Sequence, residues 1–308
     1  MTTITVIGGG FAGLVAAISS AEAGARVVLH EAHRELGRFR FRHRGRLRRR
    51  PGPVVGGFVA ERMRRVFAMP PPATYVVGGW NGLVARLAAH ARALGVDIRT
   101  GSRVLALPPA PVIVATSLDA ARQLLGEDSL SGVPSGRTVL LDVAVRGFRR
   151  DAFVVCDLDE AGWLERFTAP DPTLAPPGES LVQVQLPLRP GEPVASGRRR
   201  IERLVDLALP GWQERAAWRR HSVSSGRSGA LDLPGRTWRD RPAVDRGDGV
   251  FLAGDMVAAP GLLSEVSFAS ARLAARQAVP RSSGQSRPAA LTFVSDPVSE
   301  TEASQSMR

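Results

Sequence analysis

Gly8, Gly10 and Gly13 fall in the spacing G-x-G-x-x-G, between the β-branched run Thr3 to Ile7 and the small-residue run Leu14 to Ala23. The first run reads as a buried strand and the second as a helix lying close on a sheet. Each glycine has a job in such a turn. Gly8 permits the tight reversal, Gly10 lets the backbone approach a pyrophosphate with no Cβ in the way, and Gly13 lets helix and strand pack closely. Backbone N–H groups near Phe11 and Ala12 then face phosphate at a helix N-terminus, where the dipole favours negative charge. Glu31 ends the next strand, Ala25 onward, about 20 residues further along. An acid there accepts hydrogen bonds from ribose hydroxyls and disfavours a 2′-phosphate. The competing reading is a βαβ unit whose glycines serve packing alone; an acid at the ribose position argues against it.

A second constellation lies near the other end, in GVFLAGDMVAAPGLLSEVSFASARLAARQA, residues 249–278. A short strand, Val250 to Ala253, delivers Gly254 and Asp255 to its carboxyl end, and a helix runs from about Ser264 to Ala278. Asp255 suits the ribityl or pyrophosphate part of an extended dinucleotide. The helix N-terminus near Val266 suits the negative charge of a reduced ring system.

Four segments carry a resemblance: VIGGGFAGLVAAISSAEAGARVVLHEA, YVVGGWNGLVARLAAHARALGVDIRTGSRVLAL, VIVATSLDAARQLLG and the Gly254-Asp255 segment. In this order they resemble the flavoprotein family of amine oxidases, phytoene desaturases and protoporphyrinogen oxidases, and they are most similar to bacterial phytoene-desaturase-like members. The resemblance implies an α/β protein with FAD in an extended pose on a Rossmann-type domain with a parallel sheet. An α+β substrate domain with a mixed or antiparallel sheet would accompany it. The expected division is residues 1–118 and 241–280 for FAD, 119–240 for substrate, and a disordered tail at 281–308 rich in Ser, Pro and Gln. The resemblance also implies that Val104 meets the adenine through its backbone.

The chain departs from that family after Glu31. The family's Gly-Gly-Arg segment corresponds to Glu35-Leu36-Gly37-Arg38, so Arg38 is the candidate for the diphosphate, with Arg40 as the alternative; Gly52-Pro53 resembles the remnant of a flavin-adjacent turn. Residues 38–50 hold eight arginines in thirteen positions, and residues 38–72 show little periodicity. Two readings stand for this stretch: a solvated basic loop touching anionic lipid or another chain, or an altered segment that leaves the flavin site impaired. The second reading makes the chain a flavoprotein homologue acting as a binding protein. A rival from another class binds nucleic acid through Arg38 to Arg50, with Phe39 and Phe41 stacking on bases. Against it, no nucleic-acid-binding fold is recognisable and arginine is enriched along the whole chain.

The chemistry expected is hydride transfer from a substrate carbon to flavin N5, which is mostly a matter of positioning. All 41 basic residues are arginine, so the lysine that many amine oxidases of this family place near N5 is excluded; with Tyr75 the only tyrosine, so is an aromatic cage for amines. A poorly polar substrate, resembling a carotenoid precursor and entering from a membrane surface, fits better. No second glycine fingerprint supports a pyridine nucleotide.

With 308 residues, 44% hydrophobic and 23% charged, the chain is long enough for one large domain or two modest ones with a proper core. No run of about 18 apolar residues exists, and a lone cysteine, Cys156, excludes internal disulfides and cysteine-rich metal sites. The opening MTTITVIGGG lacks the features of a secretory leader, so a cytoplasmic setting, with peripheral contact at the inner membrane face, is expected. The net charge of +12 would ordinarily suggest polyanions, but arginine without lysine beside many Ala, Gly and Pro reflects a coding bias. The five histidines show no metal spacing, G-x-S-x-G is absent, and SSGRSG at 224–229 reads as a surface turn. Trp80, Trp212 and Trp218 read as core or helix-face residues.

Overall fold

A computed structural model describes residues 2–37, 75–261 and 264–279. Arg38, the remainder of 38–72 and the tail from 281 lie outside the described residues. The chain opens with β1, Thr3–Ile7, then α1, Phe11–Glu22, and β2, Arg26–Glu31. Helix α1 is small along its buried side (Ala12, Gly13, Ala16, Ala17), so its axis lies close to the sheet. Next come α2, Gly79–Ala93, β3, Asp97–Thr100, and β4, Val112–Val114. The Ser117 hydroxyl caps α3, Leu118–Leu125, by accepting from Ala120 N.

The chain then builds a second sheet from β5, Ser135–Arg146, β6, Val154–Asp157, β7, Gly162–Arg166, and β8, Glu179–Pro187. Helices α4, Val194–Ala208, and α5, Trp212–Arg215, lead into β9, Ala216–Ala230. The chain returns to the first sheet as β10, Val250–Leu252, and ends its described part with α6, Ser264–Ala278, which packs on α1.

The first sheet runs β10-β4-β1-β2-β3 and every pairing in it is parallel. From β1 the chain moves outward through β2 and β3, then returns to β4 on the other side. This reversal opens a crevice at the carboxyl ends of β1 and β4, where doubly wound sheets bind ligands. The second sheet runs β6-β7-β8-β5-β9 and is antiparallel throughout. Every second residue of β5 and β8, Val139, Leu141, Val143, Val145, Val182, Val184 and Leu186, lies on one face, where they pack with Ile201, Leu204 and Val205 of α4 and with Trp212. The α/β class and the pairing of a parallel with an antiparallel sheet are as the sequence indicates. Each sheet has its own core; Ala121 and Leu130, past the expected boundary at 118, pack in the first. No helix among the described residues is long and apolar enough to cross a membrane.

Several expectations fail locally. The apolar alternation of Arg103 to Leu107 predicts a strand, yet the segment is irregular: Leu105 is 83% exposed and only Val104 reaches the core. Tyr75 to Val77 is likewise irregular. The pattern of Gly211 to Arg219 predicts a helix; it stops at Arg215, and 216–230 form β9 along β5. Pairing along β5 outweighs the local helical pattern, and Trp218, His221 and Val223 suit a strand. The glycine-rich 224–229, read as a turn, lies within β9, where Gly226 and Gly229 take positive φ beside a slip in register with β5. The hairpin β6–β7 had no clear sequence signal. Its turn is held by Asp157 Oδ1, which accepts from Asp159 N and Glu160 N at 3.0 Å each.

Candidate functional site

At the crevice, Gly8 adopts φ +110° and donates its N–H to His30 O at 2.8 Å. A Cβ at Gly8 would stand 2.5 Å from Ala115 O on the strand side. A Cβ at Gly13 would stand 1.8 Å from Gly8 O. Both glycines are therefore required by the close approach of turn, helix and β4. Gly10 differs: its backbone is extended and open to any residue, and it stands at the N-cap of α1 with no side-chain cap. What glycine contributes there is the absence of a side chain before the first-turn N–H groups, including those of Phe11 and Ala12.

Glu31 is only 8% exposed. Its Oε2 accepts from Gly9 N at 2.7 Å and its Oε1 from His33 N at 2.8 Å. The two bonds fix the carboxylate beside the glycine turn, and each oxygen keeps lone-pair capacity for further donors. Ser102 N donates to Glu31 O at 2.8 Å, which brings Val104, two residues on, near the end of β2. Next to this, His30 Nδ1 lies 2.8 Å from Ser102 Oγ; burial, helped by Arg99, holds the His30 pKa below its usual value.

The far-end constellation arrives at the same edge of the sheet. Ala253 N donates to Val114 O, so β10 ends level with β4. Gly254 takes φ +152° and is clasped by Ser270 of α6: Gly254 N donates to Ser270 Oγ at 3.0 Å, and that hydroxyl lies 3.0 Å from Gly254 O. Asp255 follows directly. Val266 is buried in the first turn of α6. The fold thus brings Gly8, Gly10, Phe11, Ala12, Gly13, Glu31, Gly254 and Asp255 to the carboxyl edge of one sheet, with the first turn of α6 beside them. Arg38 is outside the described residues. An uncapped helix start, an open glycine before it and a fixed buried carboxylate fit the diphosphate and ribose of a dinucleotide.

Residues 6–69 match the family model of the NAD(P)-binding Rossmann-like domain. This Rossmann-like unit is joined to the second sheet in many solved proteins. An oxidoreductase from Methanosarcina mazei aligns with TM-score 0.60 at 14% identity over 90% of this chain and 100% of its own. A geranylgeranyl bacteriochlorophyll reductase-like protein from Thermoplasma acidophilum gives 0.56 at 16% over 90% and 78%. An aklavinone-11 hydroxylase in complex with FAD and aklavinone gives 0.52 at 17% over 89% and 60%. These likenesses show a shared fold. No curated protein matches the sequence significantly.

Sequence reasoning missed the residues that couple the Rossmann-like unit to the second sheet. Within the first unit, Trp80 at the start of α2 meets Phe11 edge-on with ring centroids 5.7 Å apart, and the ties to the second sheet start just before it. Gly78 N donates to Asp171 Oδ2 at 2.7 Å. The Tyr75 hydroxyl donates to Glu165 of β7, and its ring lies between Phe153 and Phe167. Burial and the Glu165 carboxylate push the Tyr75 pKa up to about 12, so it stays protonated at neutral pH. Hydrogen bonds from Thr173 and Gly78 hold Asp171 below its usual value. These partners are some 90 residues apart, and no local pattern announces them. Trp212 is buried as expected, whereas Trp218 is 46% exposed beneath the Arg220 guanidinium. Among the described residues no cluster of His, Cys, Asp and Glu could hold a metal ion.

Proposed function

We propose that this protein is an FAD-dependent oxidoreductase that dehydrogenates a poorly polar small molecule. The observation that carries the reading is the meeting of the glycine turn, fixed Glu31 and the Gly254-Asp255 turn at one sheet edge, since an extended dinucleotide needs a site at each of its ends. The hydroxylase of similar fold was solved with FAD; the four sequence segments support the finer placement beside phytoene desaturases and amine oxidases. In the bound state FAD would supply a two-electron acceptor at its N5 atom.

The residues have separable tasks. Glu31 accepts from the adenosine ribose. The N–H groups at the start of α1 take the diphosphate, helped by Arg38. The Gly254-Asp255 turn, held by Ser270, binds the ribityl side, and the first turn of α6 offers a positive dipole end to the ring. The chain contributes position and exclusion of water rather than a lysine relay, since it contains no lysine.

The test is direct. Purified full-length protein is mixed with FAD, desalted, and its visible spectrum recorded; denaturation and mass analysis then identify what is released. Retention of FAD near one per chain is expected. A colourless protein that fails to retain FAD overturns the reading.

A further inference from the structure

A cavity of about 500 Å³ lies at the far end of the second sheet, where the end of β5, the start of β8 and the passage from α5 to β9 meet. Its size is that of small-molecule pockets. Strand β5 begins beside the first core, where Leu231 N donates to Pro134 O, and runs 12 residues to Arg146. The cavity is therefore roughly 36 Å along the strand from that junction. Its walls are tied together by hydrogen bonds. Arg215 Nη1 donates to Arg146 O at 2.8 Å, and Gly147 N donates to Gly178 O at 2.9 Å. A frame held in this way is ordered before a ligand arrives, which lowers the entropy lost on binding.

The charges around the cavity are unevenly satisfied. Arg215 is neutralised by the buried Asp151. Arg146 and Glu179 are register partners on β5 and β8. Opposite charges in that relation normally pair, yet neither makes an ion pair among the described residues, and Glu214 has none either. All three reach solvent: Arg146 and Glu214 are exposed and Glu179 is partly so. Pro177, Ala216 and Ala217 add apolar surface between them.

We propose that this cavity is a second ligand site and that it binds a basic amino acid. One free guanidinium and two free carboxylates are complemented by one anion and two cations. Arg146 takes the α-carboxylate and its strand neighbour Glu179 the α-ammonium, because those two ligand charges sit on one carbon. Glu214 takes the side-chain cation, and the proline and alanines line the methylene stem. Binding here requires no flavin.

The test is equilibrium dialysis of the full-length protein, with FAD supplied throughout, against L-arginine, L-citrulline and agmatine. Citrulline keeps the shape and loses the side-chain charge; agmatine loses the carboxylate. Wild type is expected to retain arginine about tenfold better than either, the worth of one charge-assisted contact. Glu214→Gln abolishes the margin over citrulline, Arg146→Met abolishes the margin over agmatine, and Glu179→Gln lowers retention of all three. Arg146→Gln replaces the methionine variant if that one fails to fold. Equal retention of the three probes by wild type, no retention of arginine at millimolar concentration, or margins unchanged in the variants overturns the proposal.

Discussion

The two sheets hold their polar groups by opposite means. In the Rossmann-like unit the groups offered to a ligand are mostly main chain, exposed by glycines at fixed spacing and backed by one carboxylate. On the second sheet the polar groups are side chains paired across strands, as Asp142 is with Arg220. A main-chain site tolerates almost any composition around it but no added Cβ; a side-chain site tolerates backbone variation but depends on register and charge pairing. Damage to the two should therefore look different.

The largest effect is expected at Arg215→Met. Arg215 makes bonds of 2.9 and 2.7 Å to Asp151, whose side chain is fully buried. Removing the cation strands that carboxylate and costs about 3–5 kcal/mol, measurable by urea unfolding. The loss should fall on the second sheet, with FAD uptake by the remaining folded protein unchanged. Gly13→Ala attacks the other region: its Cβ meets Gly8 O, a main-chain atom that can yield only by moving the turn. A loss of about 3 kcal/mol is expected, together with loss of FAD. Uptake at wild-type affinity would show that the turn is not the cofactor site.

Glu31→Gln turns an NH2 group onto Gly9 N or His33 N, so it should loosen the glycine turn and weaken FAD binding about tenfold to a hundredfold, the worth of a charge-assisted hydrogen bond; titration of flavin fluorescence checks this. Asp171→Asn tests the tie between the two regions. The carboxyl is held below its unfolded value, so its contribution is present above about pH 3.9 and is lost as pH falls through the folded value. The variant should melt earlier at neutral pH, by a margin that narrows in acid. The smallest effect concerns His221, 3.2 Å from Glu202 of α4. Burial lowers its pKa, with Glu202 opposing and Arg198 and Arg219 assisting. Its protonation therefore disfavours the fold as pH falls below about 6.5. His221→Gln should flatten that part of the thermal-midpoint profile.

The glycine turn, Glu31 and the returning strand at Val250 were legible because each is a local pattern. Gly9 was overlooked: it is the residue whose N–H holds Glu31, yet it occupies a variable position of the spacing. Ser270 was overlooked because a serine within a helix carries no signal until Gly254 is placed beside it. The failures at Arg103 to Leu107 and Gly211 to Arg219 share a cause. Apolar or helical character there was weighed without knowing which strand stood alongside.

The amino-acid order by itself determined the cradle, since the turn, the helix start and the acid that meets them lie within some thirty residues and their geometry follows from backbone sterics. Only the tertiary structure decided that Gly254 reaches the same sheet edge, that Tyr75 leans on Glu165, and that Gly78 binds Asp171. Those relations depend on strand register over long separations, and pairing energies of that kind are written in no single segment.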